Sequence, residues 1–304
     1  MKVGMKVVDL PKLSAELISR VESAHQAAGG YLPAAVVNAI VASGVPLEQL
    51  MLGLIPWAEK FAMPAISKFR VGAVSHGLSG SLYFGANYEF PGQALSFTVH
   101  GEQAATAHAI SLGETGIDML AVSAAPCGYC RQFLYELTTA SKLQIILPKT
   151  PTTLLTDLLP DAFGPGDLGV TAGLMSPQSN GMTLAPPIDD VTAAALQAAN
   201  TSYAPYSSSY AGVALKTSDG SIYTGSVAEN AAYNPSMSPL EAAVVALTIN
   251  GGKTYSDITD AVLVEATASK ASQIGATRDV LGTMTKVPLR VVQAVVPAKP
   301  AARI

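Results

Sequence analysis

A chain of 304 residues with 49% hydrophobic and 13% charged side chains has the means to build one or two sizeable cores and is not of disordered composition. Its net charge of −4, with Lys and Arg scattered, offers no basic track for a nucleic-acid backbone, so nucleic acid is not an expected partner. No apolar run reaches the length of a membrane span, and the N-terminus lacks a signal-peptide pattern.

In chain order, residues 12–62 carry a helical pattern. Leu13, Leu17, Ile18 and Val21 share a face, and Gly29 with Gly30 ends the first helix. Pro33 opens a second helix that stops at Gly44, and a third, over 47–62, contains Pro56, where a kink or break is expected. Residues 1–48 read as a small all-helical unit that packs without doing chemistry. Over 69–90, Val71 and Ala73, then Leu82, Phe84 and Ala86, alternate about a glycine-containing HGLSG turn, the pattern of a hairpin. A helix over about 99–112, a strand at 119–124, a helix that Pro126 begins and a strand at 144–148 follow. This order gives an α/β layer with helices packed on a mixed sheet. Residues 151–188, rich in Pro, Gly, Asp and Thr, read as a long linker.

The second half repeats the first. GSLYFGANYEF at 80–90 aligns with GSIYTGSVAEN at 220–230, an offset of 140 that also carries 70–75 onto 210–215 and 121–125 onto 261–265. Under that offset His100 falls on Leu240, Glu102 on Ala242, Cys127 on Thr267 and Cys130 on Lys270. The scaffold pattern survives and the four reactive groups vanish together, as expected of one catalytic and one structural half. The domain reading is therefore a helical unit at 1–48, a catalytic domain at 49–150, a linker at 151–188 and a degenerate domain at 189–304.

Cys127 and Cys130 are the only cysteines, within one helical turn, so they form no secreted disulfide framework and suit a reducing, cytoplasmic setting. With His100 they supply three of the four tetrahedral ligands of zinc and leave one position open, the catalytic arrangement. One Zn2+ per chain is expected. His25, His76 and His108 have no helpful spacing, and His108 is expected to be a packing or surface residue. The ligand groups fall at expected helix N-termini, which favour thiolates, and Arg131 is placed to donate to a sulfur. Glu102, two residues past His100, is placed to carry protons for a zinc-activated water without binding the metal. His-x-Glu followed by Pro-Cys-x-x-Cys, with a strand between, is the signature of zinc nucleobase deaminases.

The chain resembles the cytidine deaminases, in their long homodimeric form with a helical N-terminal unit and a second, zinc-less core. FRVGA, YFGANYEF, VHGEQ, APCGYCRQF, LPDAFGPGDL, AANTSYAPYS and SVAENAAYNPS carry the likeness across roughly 49–304. The resemblance implies an α/β fold of two tandem cytidine-deaminase-like cores, each a mixed sheet with helices on its faces. It implies hydrolytic deamination of cytidine and 2′-deoxycytidine to uridine and 2′-deoxyuridine in pyrimidine salvage, with ammonia released, attack at C4 and Glu102 shuttling protons. It implies that Asn87 and Glu89 hold the ribose 3′-hydroxyl, Phe69 packs on the pyrimidine and Phe163 covers the site. It also implies that backbone atoms of Gly101 contact the base, the Ala125 carbonyl accepts from the 4-amino group, and the 228–235 loop reaches the active site of a partner subunit.

The family motif is usually His-Ala-Glu, and Gly101 here costs about 0.5–1 kcal/mol of helix preference. A phosphorylated substrate would need nearby cations, for which only Lys68 and Arg70 are candidates. Two other readings remain at this point. One is a deaminase of another small amine, such as free cytosine, dCMP or a nucleoside antibiotic. The other is a non-catalytic zinc-stabilised scaffold, against which an intact Glu102 argues.

Overall fold

In the computed structural model, which describes residues 14–267 and 269–297, the Ser14 hydroxyl accepts from Leu17 N–H and starts α1 (Ala15–Ala28). Leu13 and the side chain of His25 lie outside the described residues. Gly29, at φ 66°, turns the chain out of α1. The segment is not all helical, because Tyr31–Leu32 forms a short strand, β1, before α2 (Ala34–Ala42) and α3 (Leu47–Ala58). Nor does Pro56 break α3. The helix runs through it and tightens into a 3-10 turn at Glu59–Phe61. So near the end of a helix, a proline forfeits a single intrahelical bond.

Two compact units make up the chain. The first runs to Glu89 and resumes over Thr98–Ala162, and the second takes Phe90–Phe97 and everything from Phe163. In the first unit, β2 (Gly72–Gly77) and β3 (Leu82–Ala86) form the expected hairpin, joined by β4 (Ile117–Val122), β5 (Gln144–Ile146) and β6 (Thr153–Leu154). The sheet order is β1-β3-β2-β4-β5-β6, with β4–β5 the parallel pair. Beside it lie α4 (Gly101–Ser111), α5 (Gly128–Leu134) and α6 (Leu155–Leu158). The 151–188 stretch is thus not one linker: β6 and α6 complete the first unit before the boundary at Ala162. Val21, Val37, Ile40, Leu50 and Leu54 share one core with Val74, Leu82, Phe84, Ala121 and Ile146. The N-terminal helices therefore cover one sheet face, and removing their apolar stripes from water is what holds them there.

The second unit contains α7 (Asp190–Asn200), β7 (Ala211–Thr217), β8 (Ile222–Ser226), α8 (Pro239–Val245), β9 (Ile258–Ala266), α9 (Ile274–Met284) and β10 (Leu289–Ala294). Its sheet order is β10-β9-β7-β8, again with one parallel pair, β9–β10. The repeat extends to the first helix of each core. A Cβ on Gly72 would meet Ile55 O and Glu59 N, and one on Gly212 would meet Ala195 O and Ala199 N, all displaced by the same 140 residues.

Elsewhere the offset slips. A Cβ on Gly85 would lie 2.2 Å from Ala105 N and 2.3 Å from Gly101 O; on Gly225 the same distances reach Ala243 N and Pro239 O. The α8 helix is therefore two residues early, so His100 corresponds to Ser238 and Glu102 to Leu240. The constant offset had placed them on Leu240 and Ala242. Strand β9 runs one residue late, since Ala73 pairs with Val122 but Val213 with Leu263. Loop-length changes between the elements absorb both slips, and a gapless alignment does not register them.

The same close approach generates a stability test. No side chain fits between β3 and the backbone of α4, so Gly85→Ala should cost about 3 kcal/mol or more, the upper end for overpacking. Gly282→Ala, on an exposed position of α9 with open space around its Cβ, should instead stabilise by about 0.5–1 kcal/mol. Urea unfolding at fixed zinc concentration measures both, and equal midpoints would refute the close contact.

Candidate active site

Two helix starts converge at the edge of the first unit's sheet where β3 and β4 end and β2 begins. His100, in extended conformation at φ −85° and ψ 157°, is the N-cap of α4, and its N–H donates to Gln103 Oε1 at 3.2 Å. Cys127 is the N-cap of α5, and Cys130 sits one turn inside it. His100 Nδ1 lies 3.6 Å from Cys127 Sγ and 3.1 Å from Cys130 Sγ, and the sulfurs are 3.6 Å apart. Tetrahedral zinc with ordinary bond lengths would set these separations at about 3.6 Å for N···S and about 3.8 Å for S···S. The donor set and its spacing fit zinc. Among the described residues no other group of three or more His, Cys, Asp or Glu side chains gathers in this way.

The sulfurs are poised differently. The hydrogen bond between the two sulfurs brings the Cys127 thiol down to about 5, helped by the backbone N–H groups of Cys130 and Tyr129 and by His100, against its partial burial. The same bond and deep burial push Cys130 up. A cation bound to both sulfurs displaces their protons. Burial likewise raises the Glu102 carboxyl, which is 4% exposed, while a backbone N–H, His100 and Cys130 act in the opposite direction. A raised carboxyl in a water-poor site is suited to taking and returning a proton near neutral pH.

A cavity of about 290 Å³ opens beside this group, near the lower end of small-molecule sites. Its wall includes Phe69, Asn87, Glu89, Gly101, Glu102 and Ala125 together with His100 and Cys127. Ser67, Val71, Thr98 and Ala124 also line it and were missed from sequence. The alternation that placed Val71 on a strand was a usable signal for it; Ser67 and Thr98 carried none. No Lys or Arg lines the cavity. The candidates are engaged elsewhere: Lys68 Nζ donates to Ala65 O, and Arg70 Nη1 to Glu59 O and Ala62 O.

Asn87 bridges the loop beside it, accepting from Val71 N–H at 2.9 Å and donating to Phe69 O at 2.9 Å. Glu89 accepts from Ile66 and Ser67. Gly101 is buried, and a Cβ there would come 3.0 Å from Val71 Cγ1. Arg131 does not reach a sulfur. Its Nε donates to Pro126 O at 2.8 Å and its Nη1 to Leu158 O at 2.7 Å, which supports the Pro126–Cys127 turn from behind. His108 is a core residue, fully buried with Nδ1 2.8 Å from Phe84 O. Phe163 lies in the second unit, is 46% exposed and is not among the residues lining the cavity. No helix among the described residues is long and apolar enough to cross a membrane.

Family models agree with this geometry. The cytidine and deoxycytidylate deaminase zinc-binding region matches residues 46–146, and a second model of the same description matches 155–278. Only the first stretch holds candidate ligands, since no His or Cys follows Cys130. A cytidine deaminase of Photorhabdus laumondii is 47% identical over 243 residues, 80% of this chain and 82% of the relative. One of Yersinia pestis is 49% identical over 231 residues, 76% of this chain and 78% of the relative. A solved cytidine deaminase structure from Mycobacterium tuberculosis is 32% identical, covering 38% of this chain and 95% of that one with a TM-score of 0.35. The chain belongs to the cytidine deaminase family, with zinc as its cofactor and two tandem deaminase domains.

Proposed function

We propose that the protein hydrolyses the 4-amino group of cytidine and 2′-deoxycytidine, giving uridine or 2′-deoxyuridine and ammonia, in pyrimidine salvage. The observation that carries this reading is a buried carboxyl, Glu102, beside the His100–Cys127–Cys130 group on the wall of a cavity with no cation. A 5′-phosphate would meet two carboxylates, Glu89 and Glu102, and no Lys or Arg, which favours the neutral nucleoside over a nucleotide. Asn87, with a spare amide hydrogen, favours a ribose-bearing substrate over the free base.

Bound zinc, held by His100, Cys127 and Cys130, supplies the Lewis acidity that makes water a nucleophile at neutral pH. Glu102 takes the proton released as water adds at C4 and passes it to ring N3; it then takes the proton of the new C4 hydroxyl and delivers it to the departing amine, leaving the C4 carbonyl of the product and ammonia. Backbone atoms of Gly101 and the Ala125 carbonyl orient the base, and Phe69 packs on it. Arg131 acts at one remove, by fixing the turn that presents Cys127. We further propose a homodimer, in which the 228–235 loop reaches the partner's pocket, and a cytoplasmic setting, where thiol ligands stay reduced.

Metal analysis of protein prepared without chelators should give one zinc per chain, lost in His100→Ala; two per chain would contradict a zinc-less second domain. Glu102→Gln should keep zinc and uridine binding but lower kcat by about 10²–10⁴-fold or more, because an amide cannot carry the proton. Steady-state kinetics with wild-type kcat in this variant would remove Glu102 from the mechanism. For Gly101→Ala, helix preference and the contact with Val71 Cγ1 oppose each other. Stability should shift by less than about 1 kcal/mol, with kcat/KM for cytidine little changed. A collapse of activity would mean that the space beside Val71 is needed by the substrate.

A further inference from the structure

Cys127 and Cys130 are fitted for a second chemistry besides holding a metal. They are the only cysteines of the chain, so within one molecule each can pair with nothing but the other. Cys127 is the N-cap of α5, and its carbonyl accepts from Arg131 N–H at 3.0 Å, so the backbone is already on the helical path there. On that path residues three apart have Cα atoms about 5 Å from one another. Disulfides span Cα separations of about 4.4–6.8 Å. The two side chains face each other, with the sulfurs 3.6 Å apart. Closing them to the about 2 Å of a disulfide asks for side-chain rotation and no refolding of the turn.

Their exposure differs. Cys127 is exposed and lines the cavity, whereas Cys130 is fully buried. A small oxidant entering the cavity therefore meets one sulfur first, and the second lies behind it within reach. An accessible sulfur with a resolving thiol beside it is the arrangement that halts oxidation at a disulfide, which is reversible, before the irreversible sulfinic acid.

We propose that Cys127 is a site of reversible oxidation by hydroperoxides, that Cys130 is its resolving thiol, and that the disulfide they form releases the zinc. The inference needs the zinc ligand set and not the choice of nucleoside. The Cys127 sulfur first attacks a peroxide oxygen: an S–O bond forms, the O–O bond breaks, and an alcohol leaves (water, where the oxidant is hydrogen peroxide). The Cys130 sulfur then attacks the Cys127 sulfur: an S–S bond forms, the S–O bond breaks, and water leaves. In sum, two thiolates, one hydroperoxide and two protons from solvent give one disulfide, one alcohol and one water. The sulfurs lose two electrons and the peroxide gains them. Thiolates, not disulfide sulfurs, ligate metal, so of the three donors only His100 is left. The second unit, with no cysteine, takes no part. A dithiol reductant reverses the bond by exchange.

Hydrogen peroxide added to the zinc-loaded full chain, with a chromogenic chelator present, tests this without any substrate. Untreated protein should keep its metal, and treated protein should give up one zinc per chain. The peptide that carries both cysteines should lose the mass of two hydrogen atoms. Dithiothreitol followed by zinc should return the metal content to its starting value. In Cys130→Ser, where nothing resolves the sulfenic acid, Cys127 should instead gain two oxygen atoms, and reductant should not restore it. A wild-type peptide that gains oxygen, a bond between two chains, or zinc retained while methionines of the same protein oxidise overturns the proposal. Should Cys130→Ser fail to fold, the wild-type peptide mass still decides, because a disulfide and a sulfinic acid change it in opposite directions.

Discussion

The site depends on how closely α4 approaches β3. Gly85 leaves no room for a side chain, and the small residues of α4 (Ala104, Ala105, Ala107 and Ala109, all buried) let the helix settle against the sheet. That depth fixes where the helix begins, and its first residues, His100 and Glu102, inherit their position from it. The second metal-bearing helix, α5, leaves β4, which pairs with β2 of the same hairpin. Three ligand atoms fall within zinc-binding distance because two helix starts are referenced to one sheet, not because any loop seeks the metal.

The duplicated architecture acts as an internal control on what each residue is for. Close glycine contacts at Gly72 and Gly85 recur at Gly212 and Gly225, and the hydrogen bonds that Glu89 accepts recur at Glu229. Gln103, which accepts the N–H of His100, is answered by Glu241, which accepts the N–H of Ser238 at 2.7 Å. These contacts recur in both units. His100, Glu102, Phe69 and Asn87 are not answered in kind, and they line the cavity together with Glu89 and Ser67, whose contacts are repeated. The two classes lie interleaved in sequence, one or two residues apart.

That interleaving explains what the sequence made legible. His-x-Glu and Cys-x-x-Cys were readable because few side chains bind zinc or carry protons, and their spacing is dictated by helix geometry. The β2–β3 hairpin and α4 were readable from alternation and glycine placement, and β8 from its likeness to β3. Packing relations were not readable. Nothing local in Tyr31–Leu32 announces a strand, since its pairing with Tyr83 and Leu82 is made across fifty residues. Arg131 lies beside Cys130 in sequence, yet it turns to the carbonyls of Pro126 and Leu158, the second supplied by a helix hidden in a Pro- and Gly-rich stretch. The slips of α8 and β9 were invisible for the same reason, because a gapless offset contains no loops.

The two helix starts differ in the charge they bury. The first unit buries a carboxyl and gathers two sulfurs that zinc binds as thiolates, an anionic cluster that destabilises a folded core unless a cation offsets it. Its folding is thereby linked to zinc. At the corresponding helix start the second unit has Ser238, whose hydroxyl accepts from Glu241 N–H, and Leu240, 1% exposed. An acid has become a packed apolar side chain and a ligand has become an ordinary helix cap. Each change removes a desolvated ionisable group and puts in its place a group whose needs are met locally. Where buried carboxyls remain, at Glu229, Glu241 and Glu265, neighbouring N–H groups and hydroxyls bond them, although burial still pushes Glu241 up to about 7. Once one core carries the chemistry, the other is free to discard the charges that made the site costly to fold, and loss of all four reactive groups together is the outcome that leaves none of them buried alone.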